Sequence, residues 1–150
     1  VPPEDAFRIF TEDIDQWWRS GMKYRAVGRS RSIIHLEPHL GGRLFESIAS
    51  GLETKIVETG LVTVWSPPTR LVFEWRAVNF APSEKTEVEV LFAASPSGTL
   101  VTLTHRGWSR IRSDHPARHG QEVAAFLRGL GMWWGDLMTS LRENAESRKS

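Results

Sequence analysis

From Ser32 onward, apolar and polar residues alternate with a period of two in one short segment after another, and beyond His119 the period lengthens to that of a helix. Ser32–Glu37 reads as a first strand, closed by Pro38 and a Gly41-Gly42 turn. Arg43–Ser50 and a longer Thr54–Trp65 follow, and Pro67-Pro68 stops the latter because proline donates no ladder hydrogen bond. Arg70–Arg76 sets Leu71, Phe73 and Trp75 against Val72, Glu74 and Arg76. Thr86–Phe92 sets Val88, Val90 and Phe92 against Glu87, Glu89 and Leu91, so the acid-bearing face belongs in water. Ser95-Pro96-Ser97-Gly98 is a hairpin turn, and Thr99–His105 returns with Val101, Leu103 and His105 on one face.

Helical spacing brackets this run. Pro2-Pro3-Glu4-Asp5 is a helix start, with proline in the first turn and acids at the positive end of the dipole. Ala6, Phe7, Phe10 and Ile14 continue it, a kink is expected near Thr11–Asp13, and Trp17-Trp18 end the segment before Gly21. After a charged loop, Trp108–Arg118, the last helix is expected from His119 or Gly120 to about Glu143. Val123, Leu127, Leu130, Trp134, Leu137 and Leu141 form its apolar stripe, widened by Phe126 and Trp133. Gly129, Gly131 and Gly135 each cost this helix roughly 1 kcal/mol relative to alanine. Either close approach to the sheet or room for a guest is the expected reason.

With no repeat and no linker, residues 1–150 read as a single α+β domain: a curved antiparallel sheet wrapped around a long C-terminal helix, with two short N-terminal helices. A length of 150 residues is enough for a sizeable core. The net charge of +1 and the absence of a basic tract argue against nucleic acid as a partner. Zero cysteines exclude disulfides, thiol catalysis and cysteine-bound metal, and a reducing, cytoplasmic setting is expected. No apolar run is long enough for membrane insertion. A homodimer is compatible with the sequence, although no feature requires it.

Several motifs, in order, carry a resemblance over nearly the whole chain. They are Pro2-Pro3-Glu4-Asp5-Ala6-Phe7-Arg8-Ile9-Phe10-Thr11, Trp17-Trp18, Glu37-Pro38 with Gly41-Gly42-Arg43, and Gly60-x-Val62. Trp65-x-Pro67-Pro68-x-Arg70-Leu71-Val72-Phe73-x-Trp75, Thr86-Glu87-Val88-Glu89-Val90 and Thr102-Leu103-Thr104-His105-Arg106-Gly107-Trp108 complete the set. The chain resembles the START/SRPBCC superfamily, and within it the bacterial proteins similar to the C-terminal domain of the heat-shock-protein ATPase activator. The resemblance implies a helix-grip fold with an internal cavity between sheet and last helix. Relatives of that superfamily bind lipids, hormones or polyketides. Members usually carry a strand ahead of the Pro-Pro helix; none stands here, so a missing start is expected, or failing that an open sheet edge prone to pairing. The eukaryotic activator's N-terminal domain has no counterpart in these residues, so chaperone activation is not carried over.

Strand parity and the resemblance together give the candidate ligand-binding set: Trp17, Phe45, Phe73, Trp75, Val90, Leu103, His105, Phe126, Leu130, Trp133 and Trp134. Four of the seven tryptophans form two adjacent pairs, and core filling competes with pocket lining for each. His105 stands inward, where it could orient a ligand's carbonyl or shuttle a proton, or simply be a core histidine bonded to the backbone. Glu46 and Glu58 are expected in water; turned inward, either could pair with His105 or Arg43. His35 and His39 lack helical geometry for a metal, and His115 and His119 flanking Pro116 read as loop residues. No cofactor is expected, and no serine elbow or phosphate loop is present. The favoured reading is a non-enzymatic binder of a small hydrophobic molecule. A cyclase or hydratase using His105, and a module that binds a chaperone or regulator, are the alternatives. The first alternative predicts a second ionisable group at His105, and the second a filled interior with an exposed apolar patch.

Overall fold

Alternation of apolar and polar side chains produces strands that pair in sequence order. The computed structural model describes residues 1–19, 32–50, 53–76, 85–107 and 123–147. Strands β1 (Ser32–Leu36), β2 (Arg43–Ser50), β3 (Glu53–Ser66), β4 (Arg70–Trp75), β5 (Thr86–Ser95) and β6 (Gly98–Arg106) make one six-stranded antiparallel sheet. Helices α1 (Pro3–Glu12) and α2 (Ile14–Trp17) precede it, and α3 (Val123–Ser147) follows. The expected kink falls at Asp13, where the chain leaves helical geometry for one residue. The expected beginning of the last helix, and the loop with His115 and His119, lie outside the described residues.

The two faces of the sheet have different fates. Leu44, Val62, Leu71, Phe73, Val88 and Val90 are buried against Phe7, Phe10 and Ile14 of the first helices and Leu137 and Leu141 of α3. Across β4–β6 the outer face is lined with ion pairs, Arg70 to Glu89, Arg106 to Glu87 and Lys85 to Glu74, each at 2.8 Å. Such exposed pairs contribute little stability, but they keep that face in water, as its acids foretold. Across β1–β3 the outer face is more apolar: Ile33 and Ile56 are both about half exposed, at 49% and 48%, in one row through Ser47.

Three local devices set the sheet's shape. In the turn between β1 and β2, Oε1 of Glu37 accepts both the backbone N–H and the Nε–H of Arg43, at 2.8 Å each, around Gly41 at φ 81. That double bond, with the Arg43 charge, holds the Glu37 carboxyl below the usual carboxylate range. Pairing between β2 and β3 slips at Leu44/Phe45, and a Cβ at Gly60 would run into the Glu74 carbonyl, so only glycine fits this bulge. At the edge strand β1, Oδ1 of Asp15 accepts the Ile34 N–H at 2.9 Å, so a side chain from α2 occupies a position that another strand would need.

For Gly131 and Gly135 the expected close approach to the sheet is not found. Gly131 and Gly135 are exposed, and a Cβ built at either meets no atom within 4 Å. The backbone of α3 runs closest to α1 and α2, while its large side chains reach across to the strands. Just past its midpoint Ser140 Oγ donates to the Trp17 carbonyl at 2.6 Å, and Arg19 Nε donates to the Asp136 carbonyl at 3.1 Å.

Candidate functional site

Two tryptophan pairs far apart in sequence meet between sheet and helix. Trp18 ends α2, Trp75 ends β4, and Trp133 and Trp134 sit in the middle of α3. All four rings touch one another. Their centroids lie 4.9 Å apart for Trp133–Trp134 and 5.7–6.0 Å for the other five pairs, mostly edge to face, with Trp18 and Trp75 near parallel. Edge-to-face contact sets the positive ring edge on the negative face of its neighbour, which is the favourable arrangement for indoles. Trp18 and Trp134 are buried, whereas Trp75 and Trp133 are half-buried and form the outer side of the cluster.

A polar chain runs through its inner side. The Trp134 indole N–H donates to Nδ1 of His105 at 3.0 Å, and Nε2 of His105 lies 2.6 Å from Thr86 Oγ1. Thr86 in turn donates its hydroxyl hydrogen to the Trp75 carbonyl at 3.2 Å. An indole nitrogen can only donate, so Nδ1 must keep its lone pair and the imidazole proton must sit on Nε2. Burial pushes the imidazole down to about 3, so His105 is neutral at neutral pH. Sheet register makes the chain: Trp75 stands opposite Thr86, and His105 stands opposite Val88 two residues along.

The expected ligand-binding residues sort by position. Trp75, Trp133, Trp134 and His105 come together in this cluster, and Leu103 and Leu130 pack half-buried beside the core. Trp17, Phe73 and Val90 are almost wholly buried, and the Trp17 indole donates to the Phe10 carbonyl at 3.2 Å, as a core-filling residue would. Phe45 departs from the expectation. It lies on the outer face, stacked on His35 at 4.8 Å with the Arg43 guanidinium 4.7 Å above its ring. Leu44, Glu46 and Ile48 take the inward positions of β2 instead, and strand alternation leaves Phe45 outside. The Phe126 side chain lies outside the described residues.

Trp18 was missed as a site residue, although its adjacency to Trp17 was the available signal. Glu46 was expected in water, yet it is 4% exposed, with Ser32 Oγ donating to its Oε1 at 3.0 Å. Glu58 is exposed, 3.4 Å from Arg43. A separate open groove of about 430 Å³ lies between α1, the start of β6 and the second half of α3, where Ile9, Val101, Met138 and Leu141 line it; it contains no tryptophan. Among the described residues no group of acids and histidines is placed to hold a metal ion.

Comparison with known proteins bears on the whole assembly. The model of the family described as Activator of Hsp90 ATPase homolog 1-like protein matches residues 1–132. The chain belongs to this family. Its fold is the helix-grip arrangement of the SRPBCC superfamily. A crystal structure of a Mesorhizobium loti protein is similar over 99% of this chain and 92% of its own, at 18% identity and a TM-score of 0.62. A Nitrosomonas europaea protein is similar over 99% of this chain and 90% of its own, at 17% identity and a TM-score of 0.64. An HSP90 activator from Plasmodium falciparum is similar over 97% of this chain and 89% of its own, at 20% identity and a TM-score of 0.59. At these identities the likeness is one of fold. No curated protein matches the chain by sequence. Among the described residues no helix is long and apolar enough to cross a membrane.

Proposed function

We propose that this member of the family binds a small hydrophobic molecule, without chemical change, at the four-indole cluster between the sheet and α3, and does so in the cytoplasm. The observation that carries this is the cluster itself. Four indoles meet, and two of them, Trp75 and Trp134, contact one neutral histidine whose two nitrogens are both engaged, an apolar setting with few polar groups, as ligand sites in small domains have. A proton shuttle at His105 fits less well. To accept a proton at Nδ1 the ring would have to face the Trp134 N–H donor to donor.

Native mass spectrometry of the purified protein, followed by denaturing extraction, tests the reading. A stoichiometric apolar molecule that is lost from Trp75→Ala supports it. A molecule retained by Trp75→Ala at equal occupancy, with only stability reduced, returns the cluster to a core-filling role.

A second reading has its own observation. The indoles pack without a ring-sized gap, and Ile33 and Ile56 leave an apolar row on the outer face of β1–β3, the pattern expected of a chaperone- or regulator-binding module. The likeness to an HSP90 activator fits that reading as well. A clean apo mass, together with loss of a purified chaperone's binding in Ile33→Asp and Ile56→Asp, would favour it over the ligand binder.

A further inference from the structure

Trp134 meets Trp18, Trp75 and Trp133 edge to face, at 88°, 67° and 89°, so a rotation of this one indole would change three ring contacts at once. The N–H is the group that distinguishes one edge of an indole from the others. In Trp134 it goes to Nδ1 of His105 at 3.0 Å. The orientation of Trp134 therefore depends on His105 keeping a lone pair at Nδ1.

What happens at the other nitrogen decides whether it does. Thr86 begins β5, is 3% exposed, and stands opposite Trp75 in the sheet register. Its hydroxyl hydrogen is donated to the Trp75 carbonyl at 3.2 Å, so towards His105 the oxygen can only accept. The 2.6 Å contact at Nε2 thus places the imidazole proton on that nitrogen and leaves Nδ1 for the indole. A hydroxyl turned to donate to Nε2 would move the proton to Nδ1, set it against the Trp134 N–H, and leave the Trp75 carbonyl without that donor. Two hydrogen bonds on a branched side chain hold Thr86 in one rotamer. Gly107, at φ 99, turns the chain out of β6 beside it, where a Cβ would meet Thr86 Cα at 3.4 Å.

We propose that Thr86 is a positioning residue of the ligand site: by holding the His105 proton on Nε2 it fixes the plane of Trp134, and with it the edge-to-face arrangement that an apolar guest meets. This rests on the ligand-binding reading above and names the group that keeps the site in its binding form. Thr86 acts through His105 and Trp134 and need not touch the guest. The arrangement also bears on what the guest is. The single hydrogens of Trp134, His105 and Thr86 are each engaged by the next group along the chain, so a ligand takes none of them and is met by ring faces and edges. An uncharged molecule with few hydrogen-bonding groups fits such a wall.

The test uses the whole protein and the neutral probe N-phenyl-1-naphthylamine. Nitrogen NMR reads the His105 imidazole, and the seven indole N–H signals are assigned through single Trp→Phe variants. Thr86→Val keeps the shape of the side chain and removes the hydroxyl. The imidazole, a single tautomer in the parent, should become a mixture, and the Trp134 N–H signal should shift. Probe binding should weaken about fivefold, because fewer molecules hold the binding form. Thr86→Ser, which restores the hydroxyl, should recover all three readouts. In Trp134→Phe, where the indole donor is gone, the proton should stay on Nε2 because Thr86 still accepts it. A mixture of tautomers in Trp134→Phe would place the control with Trp134 and refute the proposal. A Thr86→Val protein that keeps the parent's tautomer, or weaker binding that Thr86→Ser does not recover, also overturns it, since the threonine would then only fill space. In each of those outcomes the parent binds and the ligand-binding reading stands. A parent that does not bind the probe, or binds it without moving the Trp75 and Trp134 signals, overturns that reading and this proposal with it.

Discussion

The indole N–H of Trp134 and the Nδ1 of His105, 3.0 Å apart, fix which nitrogen of a half-buried imidazole carries the proton. A carboxylate in the place of the indole would have stabilised an imidazolium; an N–H donor does the reverse. The pair thus ties the long helix to the strand β6 and holds the imidazole neutral in the same contact.

Acid should reveal this contact as a loss of stability. His105 is pushed down to about 3 in the folded protein, whereas an unfolded histidine titrates near 6.5. Between those values the unfolded chain binds the extra proton. The contribution of His105 is therefore complete above about pH 6.5 and is lost as pH falls towards 3, by up to about 1.4 kcal/mol per pH unit. Urea unfolding of the parent and of His105→Gln at pH 7 and pH 5 isolates it from the carboxylates. The parent's advantage should shrink by about 2 kcal/mol between those two values. A gap that does not change with pH would mean the folded site accepts the charged ring.

Filling the exposed face of α3 should stabilise the protein. Gly131→Ala and Gly135→Ala each add a methyl where nothing is met within 4 Å, so each should gain about 1 kcal/mol, or roughly 2–4 °C in Tm for a domain of this size. The two gains should be close to additive. A fall in Tm for either would show that the helix backbone there is not the regular one described.

How much of this was legible in the residues depended on whether one rule or two governed a position. The strands were readable because alternation alone fixes which side chains share a face: Leu71 and Phe73, Val88 and Val90, and the acids Glu87 and Glu89 fell as expected. Strand β2 set two rules against each other. Burying Phe45 would also have buried Ser47 and exposed Leu44 and Ile48, and the fold instead buries the two aliphatics with Glu46 between them. Hydrophobicity residue by residue favours Phe45, whereas the phase of the whole strand favours Leu44. The four-indole cluster was half legible. Adjacent tryptophans flagged both pairs, but their meeting depends on where α2 ends and how α3 crosses the strands, which no local pattern encodes.

Gly60 should be intolerant for a steric reason. Gly60→Ala places a methyl against the Glu74 carbonyl inside a paired stretch of β3 and β4, and relief requires separating the strands or moving the bulge. A loss of about 1–3 kcal/mol is expected in urea unfolding. Faster hydrogen exchange at the amides of Leu61 and Glu74 should accompany it. A change below about 0.5 kcal/mol would mean that the bulge slides to accept a side chain.

The close indoles also give the molecule an optical property. Transition dipoles of Trp18, Trp75, Trp133 and Trp134, in rings 4.9–6.0 Å apart that meet at steep angles in every pair but Trp18–Trp75, couple as excitons rather than absorbing as separate chromophores. The near-ultraviolet circular dichroism of the protein should therefore carry a paired band of opposite signs whose amplitude depends on all four rings staying together. Anything that parts helix from sheet, whether heat, acid or an entering molecule, would be written directly into that band, with no label attached.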